Sequence, residues 1–378
     1  MSFVLAPRPA AALAVMLLSA TPAVANTYTI TYLVSDQAGA AHTDAKLKNA
    51  WGIAFLPNDY FWIADNRTGV STLYDGAGVK NTLTVKLPLP PPPRRPDIDA
   101  KVAAPTGMVS YTGSNFWVAN DPLWPARFIF DSEDGTISAW FIGEGSVATL
   151  QIDNSLNGAN CKPTPKPSCQ GAVYKGLALG KSTAHGVLLY ATNFRSGKVE
   201  TYNGKWQPVD LGVTAFHDSK IPAGFAPYNI VNIAGRLYVT YGKQDATRHD
   251  SVNCRACGYV DIFTTDGVLV KRLIGAGNNA QLNAPWGLAM APGSFWPGGA
   301  LLVGNFGNGR INAYNTNGLF LGALRNKATG KPLSIDKLWA IVFTGAKGPP
   351  NSSPSKLYFT SGPNDEANGR FGSLTPSP

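Results

Sequence analysis

The pentapeptides WGIAF (51–55), WGLAM (286–290) and WAIVF (339–343) are copies of one another, and a chain that repeats itself must build its fold from repeated units. Three divergent copies stand between them, TGMVS (106–110), KGLAL (175–179) and YNIVN (228–232), spaced at roughly 50 to 70 residues. A second strand-like run follows each copy: FWIADN (61–66), FWVAND (116–121), LYATNF (189–194), LYVTYG (237–242), LLVGNF (301–306) and LYFTSG (357–362). A third run completes most units, as GVSTLYDG (69–76), DGTISAWF (134–141), GKVETYNG (197–204), GYVDIFTTDG (258–267), GRINAYNTNG (309–318) and a shortened GRFGSL (369–374). All are short, rich in β-branched and aromatic residues, and separated by Gly, Asn and Asp, which is strand and turn chemistry.

One unit is therefore a small antiparallel sheet that cannot bury both of its faces alone, and radial stacking of such sheets removes most free edges. The expected fold is all-β, a six-bladed β-propeller forming a single domain over residues 26–378. The blades are expected at about 49–100, 101–171, 172–221, 222–281, 282–334 and 335–374. The last unit lacks room for a fourth strand, while the alternating run TYTITYLV (27–34) is surplus at the other end, so it is expected to close blade six. The column of Trp51, Trp286 and Trp339 reads as packing between blades, with a carbohydrate platform as the alternative.

Ahead of the repeats, Arg8, the apolar run AALAVMLLSATPAVA and the small residues before Asn26 have the form of a signal peptide over residues 1–25. The expectation is an exported protein, periplasmic or secreted, with no membrane span after cleavage. Cys161 with Cys169 and Cys254 with Cys257 then read as two local disulfides; a zinc site is the alternative. A formal charge of +9 permits contact with anionic surfaces, but its basic residues are scattered and export argues against a nucleic-acid partner. LPLPPPPRRP (87–96) reads as a stiff polyproline loop between blades one and two, or else a docking segment.

By analogy with propellers in general, a site belongs at one mouth of the central channel. Projecting the repeats places there 65–66, 120–121, 193–195, 242–257, 305–308 and 361–368, with His42, Asp44, Asn49, His217, Asp218, Asn283, Asp336 and Lys337 at the entries to inner strands. Asn ends the second run in four units, as Asn66, Asn120, Asn193 and Asn305. With Asp65 these oxygens suit a hard divalent cation such as calcium, or they are turn residues. Blade four carries the enlarged loop KQDATRHDSVNCRAC (243–257). In it His249 with Asp250 or Asp245 is expected to form an oriented imidazole or a ligand pair, the alternative being a surface loop tied down by its disulfide, and His42 has the same ambiguity. The catalytic candidates are thus His249 and His42, and the ligand-binding candidates Asn49, Lys243, Gln244, Asp245, Asp250 and Arg195. No serine-nucleophile elbow, P-loop or dinucleotide fingerprint is present, which disfavours those chemistries.

The strings LVSDQAGAAHTDAKLKNAWGIAF, FWIADNRTGVSTLYDG, FIFDSEDGTISAW, FAPYNIVNIAGRLYVTYGKQDATRHD and GYVDIFTTDG together resemble an uncharacterised family of exported proteins built on NHL-like propeller repeats. Members often end in a PEP-CTERM sorting tail, whereas this sequence ends at SLTPSP, so the resemblance implies a free exported protein. More distantly the chain is similar to the regucalcin and gluconolactonase group and to NHL-repeat amidating lyases, but their ligand patterns find no residue-by-residue match. The leading expectation is a monomeric propeller that binds a small molecule, glycan or envelope protein at its mouth without catalysis. The alternative is a hydrolase, lactonase or lyase dependent on a calcium-like divalent cation in the channel. A purely structural role in the cell envelope is the third.

Overall fold

The computed structural model describes Met1 and residues 27–92, 94–99, 101–156, 171–275 and 281–377; beyond Met1 the expected leader lies outside the described residues. Six sheets form the ring, each ordered from an inner to an outer strand. Blade one comprises Ala50–Ala54, Phe61–Asp65, Val70–Tyr74 and Lys80–Lys86, and blade two Pro105–Ser110, Phe128–Ser132, Thr136–Trp140 and Thr149–Asp153. Blade three has three strands, Tyr174–Ser182, Gly186–Asn193 and Lys198–Tyr202. Blade four is Phe225–Ile233, Arg236–Lys243, Tyr259–Phe263 and Leu269–Ile274, and blade five Pro285–Ala291, Ala300–Asn305, Ile311–Tyr314 and Phe320–Ala323.

Blade six is made by both ends of the chain. Leu338–Val342, Leu357–Ser361 and Arg370–Ser377 are followed in the sheet by Thr27–Ser35, antiparallel to the last of them from Thr27 opposite Ser377 to Ser35 opposite Arg370. Tyr28 and Val34, alternating inward from that strand, are fully buried. His42–Thr43 adds a short parallel pairing outside it, which shields the edge.

Blade two departs from the sequence expectation. The run 116–121 is no second strand; it holds the only helical turn among the described residues, Val118–Asn120, with Phe116, Ala119 and Asn120 at positive φ. Pro122 and Pro125 supply no ladder donors. Phe116 and Val118 instead pack beside Trp206 of the neighbouring blade, and Trp206 Nε1 donates to the Trp117 carbonyl at 2.8 Å. The second strand is Phe128–Ser132, whose Phe128 stacks on Trp62 of blade one at 3.9 Å between ring centroids. Burying aromatic side chains of this kind stabilises the ring by about 1.5–3 kcal/mol each.

All six inner strands carry a register shift, at the second residue in five and at the fourth in blade four, between Ala50 and Ile53, Pro105 and Met108, Tyr174 and Leu177, Pro227 and Asn229, Pro285 and Gly287, and Leu338 and Ile341. A bulge re-aims the side chain it carries. The six residues so placed are Trp51, Thr106, Lys175, Tyr228, Trp286 and Trp339. The following residue is small where strands crowd the axis: a Cβ on Gly52 would stand 2.6 Å from the Thr106 carbonyl oxygen, and one on Gly287 2.6 Å from that of Trp339.

Aromatic members of this column meet across the axis. Trp51 of blade one stacks on Trp339 at 3.5 Å, Trp286 meets both edge-on at 6.4 and 5.9 Å, and Tyr228 of blade four reaches Trp339 at 6.1 Å. They form a plug. On its far side the inner strands line an apolar channel cavity of about 440 Å³, with Met108, Leu177, Ile230, Leu288 and Ile341 in its wall.

Candidate functional site at the channel mouth

Lys175 occupies in blade three the place that tryptophan holds in blades one, five and six. Its side chain is 1% exposed, and its ammonium lies over the Trp51 ring at 5.1 Å and the Phe194 ring at 6.0 Å. A charge so deprived of water needs partners. Lys175 finds them in Glu133, with which it forms a close ion pair, and in Asp250 Oδ1 at 3.2 Å. Glu133 immediately follows the second strand of blade two, and Asp250 lies in the enlarged blade-four loop. His249 Nδ1 stands 3.1 Å from the same Asp250 oxygen and 4.0 Å from Glu133 Oε1.

A chain of amides joins this cluster to the plug. Trp339 Nε1 donates to Asn49 Oδ1 at 2.9 Å, and Asn49 Nδ2 donates to Asn66 Oδ1 at 3.2 Å and Glu366 Oε2 at 3.3 Å. Asn66 Nδ2 in turn donates to Glu133 Oε2 at 2.9 Å. Asn49 sits at φ 46° just before the first inner strand, a left-handed conformation that Asn tolerates better than most residues. Above lies a depression of about 260 Å³ lined by Asn66, Asp97, Glu133, His249, Asp250 and Glu366 among others.

The electrostatics follow from burial and from this crowding. Burial, reinforced by the Glu133 carboxylate, pushes the Glu366 carboxyl up to about 7. Burial disfavours the Lys175 ammonium, but Glu133 and Asp250 outweigh it and hold its pKa above the ordinary lysine value. Asp250 is held well below the usual carboxylate range: partial desolvation at the rim opposes this, and Lys175 and His249 override it. The His249 imidazole is raised, because Asp250 and Glu133 prevail over its burial. Beside the site, burial carries Asp134 to about 6.

The proline-rich segment ends in this wall. Arg95 is 4% exposed and donates to the carbonyls of Ser155 at 2.8 Å, Ala172 at 2.9 Å and Glu133 at 3.0 Å. Asp97 pairs with Arg95 at 2.9 Å and with Arg195 at 2.6 Å. Burial would raise the Asp97 carboxyl, yet the two guanidinium groups bring it down to about 2. The arginine end of this segment thus braces the backbone that presents Glu133.

Of the residues singled out in the sequence, the fold brings His249, Asp250, Asn49 and Asn66 together at the mouth. Asp245 shapes their loop: it accepts the His249 backbone N–H at 2.9 Å and the Thr247 hydroxyl at 2.7 Å. Gln244 donates to the Phe194 carbonyl, Arg195 is engaged by Asp97, and Lys243 is an exposed strand end. The Cys254–Cys257 disulfide closes the same loop, with Cα atoms 5.3 Å apart; Cys161 and Cys169 lie outside the described residues.

The other expected positions part company with the mouth. His42 is exposed on the outermost strand of blade six, five strands out from the channel. Of the oxygens expected to ring a cation, Asn66 joins the mouth through Asn49 and Glu133, whereas Asp65, Asn193 and Asn305 bond within their own blades. Asp65 accepts the Thr72 hydroxyl at 2.7 Å, Asn193 donates to Glu200 at 2.7 Å, and Asn305 accepts the Asn283 N–H at 2.8 Å. Asn120 sits in the exposed turn of blade two. Sequence reasoning missed Lys175 and Glu133 outright, and it enclosed Glu366 within 361–368 without marking it. The signal for Lys175 was the lysine of KGLAL in the tryptophan column.

Fold and site together define a six-bladed β-propeller with an aromatic plug under a polar, ionisable mouth. The sequence is 32% identical over 358 residues to Uncharacterized protein R648 of Acanthamoeba polyphaga mimivirus, covering 92% of this chain and 80% of that protein, and it belongs to the same family. Uncharacterized protein L690 of the same virus is 28% identical over 355 residues, covering 92% of this chain and 86% of its own. No protein-family model matches the chain. Among solved structures, a streptogramin B lyase is similar at a TM-score of 0.50 and 12% identity, covering 93% of this chain and 98% of that one. A calcium-binding protein, regucalcin, from Agrobacterium tumefaciens gives 0.50 and 12%, covering 93% and 95%. A structural genomics protein of unknown function from Bacteroides thetaiotaomicron gives 0.51 and 13%, covering 93% and 76%. At such identities the likeness is one of fold. Among the described residues no helix is long and apolar enough to cross a membrane.

Proposed function

We propose that this protein is exported and binds a small polyhydroxylated ligand, such as one unit of a glycan, at the mouth of its channel. The observation that carries this reading is the depression of about 260 Å³ in which carboxyl, amide and imidazole groups from blades one, two, four and six converge over a closed aromatic floor. Sugar-like hydroxyls both donate and accept, and such a mixed set answers both needs. Asp250, with a side chain 65% exposed, is the acceptor at the rim, and Glu133 and Glu366 lie deeper. Near neutral pH Glu366 exchanges its proton, which lets it act as donor or acceptor. The test is calorimetry of the purified protein against mono- and oligosaccharides. Saturable binding weakened at least tenfold by Glu366→Gln or His249→Ala is expected, and heats that both variants leave unchanged would overturn the reading.

The alternative of a divalent-metal hydrolase, lactonase or lyase draws support from one grouping. Ligand atoms of Glu133, His249 and Asp250 lie within 4.8 Å of one another. Two fold relatives are a streptogramin B lyase and a calcium-binding protein. The residues do not fit such an ion, however, because the Lys175 ammonium already lies among those atoms. The mouth is accordingly read as a binding site, with His249 and Glu366 as its proton-exchanging groups.

A further inference from the structure

We infer that Lys175 is the resident cation of the mouth, its ammonium taking the place among Glu133, Asp250 and His249 that a divalent metal ion would need. Three observations converge on this. The first is position: the axial column is otherwise aromatic or neutral, and only blade three brings a cation to it. The second is geometry. A metal shared by these three groups must lie within about 2.0–2.6 Å of each ligand atom. The ammonium is paired closely with Glu133 Oε1 and stands 3.2 Å from Asp250 Oδ1, so ion and ammonium would compete for the same oxygens at like charge. The third is environment, since the Trp51 face 5.1 Å below offers its negative quadrupole to a cation and no ligand to a metal.

The lysine therefore neutralises charge that a metal would otherwise neutralise, and it cannot dissociate. Replacing it by an apolar side chain removes the ammonium from between two carboxylates and an imidazole whose ligand atoms lie within 4.8 Å of one another. Such a constellation has the donor types of a divalent site. The lysine's place as resident cation does not depend on which organic ligand the mouth accepts.

The experiment is a calorimetric titration of the full chain and of its Lys175→Met variant with Mn²⁺, Ca²⁺ and Zn²⁺, each alone after chelation and dialysis. The wild type is expected to show no saturable binding. Lys175→Met is expected to bind one ion per chain, and the added change Glu133→Gln to abolish that binding. Should Lys175→Met unfold when metal-free, recovery of a cooperative thermal transition on adding any of the three ions supports the assignment. Stoichiometric binding by the wild type that Glu133→Gln removes would overturn it. So would a folded Lys175→Met chain that binds none of the ions, or an unfolded one that none restores.

Discussion

The ammonium of Lys175 lies 5.1 Å from the ring centroid of Trp51, although the two residues hold the same repeat position in blades three and one. One position thus supplies both the floor of the mouth and its only buried ammonium among the described residues. The energetic weight of that arrangement can be measured. Removing one partner of a buried ion pair typically costs about 3–5 kcal/mol, because the other charge is left uncompensated. Glu133→Gln and Lys175→Met are each expected to fall at about the lower end of that range, since Asp250 also serves the lysine and Asn66 also serves the glutamate. The double variant should lose less than their sum. Denaturant unfolding of all four proteins closes the cycle, and strictly additive losses would show that the pair is uncoupled.

Trp339 is the keystone of the plug, stacked on Trp51 and Phe306 and bonded to Asn49. Trp339→Ala is expected to cost about 3–5 kcal/mol from the cavity left behind. Trp339→Phe should recover most of the packing yet leave Asn49 without its indole donor. A fall in unfolding midpoint for the first variant within the error of the second would refute this ranking.

Stability should fall as pH rises across the site's titration. A Glu366 carboxyl near 7 in the folded chain, against 4.5 unfolded, holds its proton more tightly when folded. Its contribution is therefore full below pH 4.5, shrinks between 4.5 and 7, and is gone above 7. Glu366→Gln should flatten that part of the profile and gain roughly 1–3 kcal/mol relative to wild type at pH 8. Thermal melts across the range decide it; parallel profiles for both proteins would place the titration elsewhere.

The strand Thr27–Ser35 completes blade six through pairing along its whole length with Arg370–Ser377. Deleting residues 27–34 removes the buried side chains of Tyr28, Leu33 and Val34, each worth about 1.5–3 kcal/mol. A loss of about 5 kcal/mol or more is expected, with exposure of the strand edge at Arg370–Ser377 and a tendency to associate. An unchanged melting curve would contradict it.

Those features of the fold that depend on periodicity were legible in the chain itself. The three tryptophan copies announced the repeat, and the alternation of TYTITYLV announced a strand in need of a partner. Blade two misled because FWVAND mimics the second run of blade one, and only Pro122 and Pro125 mark it as a loop. That displacement hid Glu133, which follows the true second strand. The Asn column was harder to interpret for a different reason: Asn193 and Asn305 end a strand and bond within their own blades, whereas Asn66 in the same position reaches across to Glu133. Lys175 was visible as a letter but not as a meaning, because a divergent copy of a repeat looks like decay until the axis gathers all six copies.

The pairing of Thr27–Ser35 with Arg370–Ser377 also sets an order of events for folding. Thr29 and Ser377 touch through hydroxyls at 3.0 Å across a separation of 348 residues, so this contact forms only when nearly the whole chain is at hand. Contacts of that span are slow to form. Five blades can assemble on local pairings while the sixth waits, which makes ring closure the step that commits the molecule. It also leaves Thr27 and Ser377 side by side. A permuted chain that joins them through a short linker, and is opened in a loop of another blade, would turn the slowest contact into a hairpin.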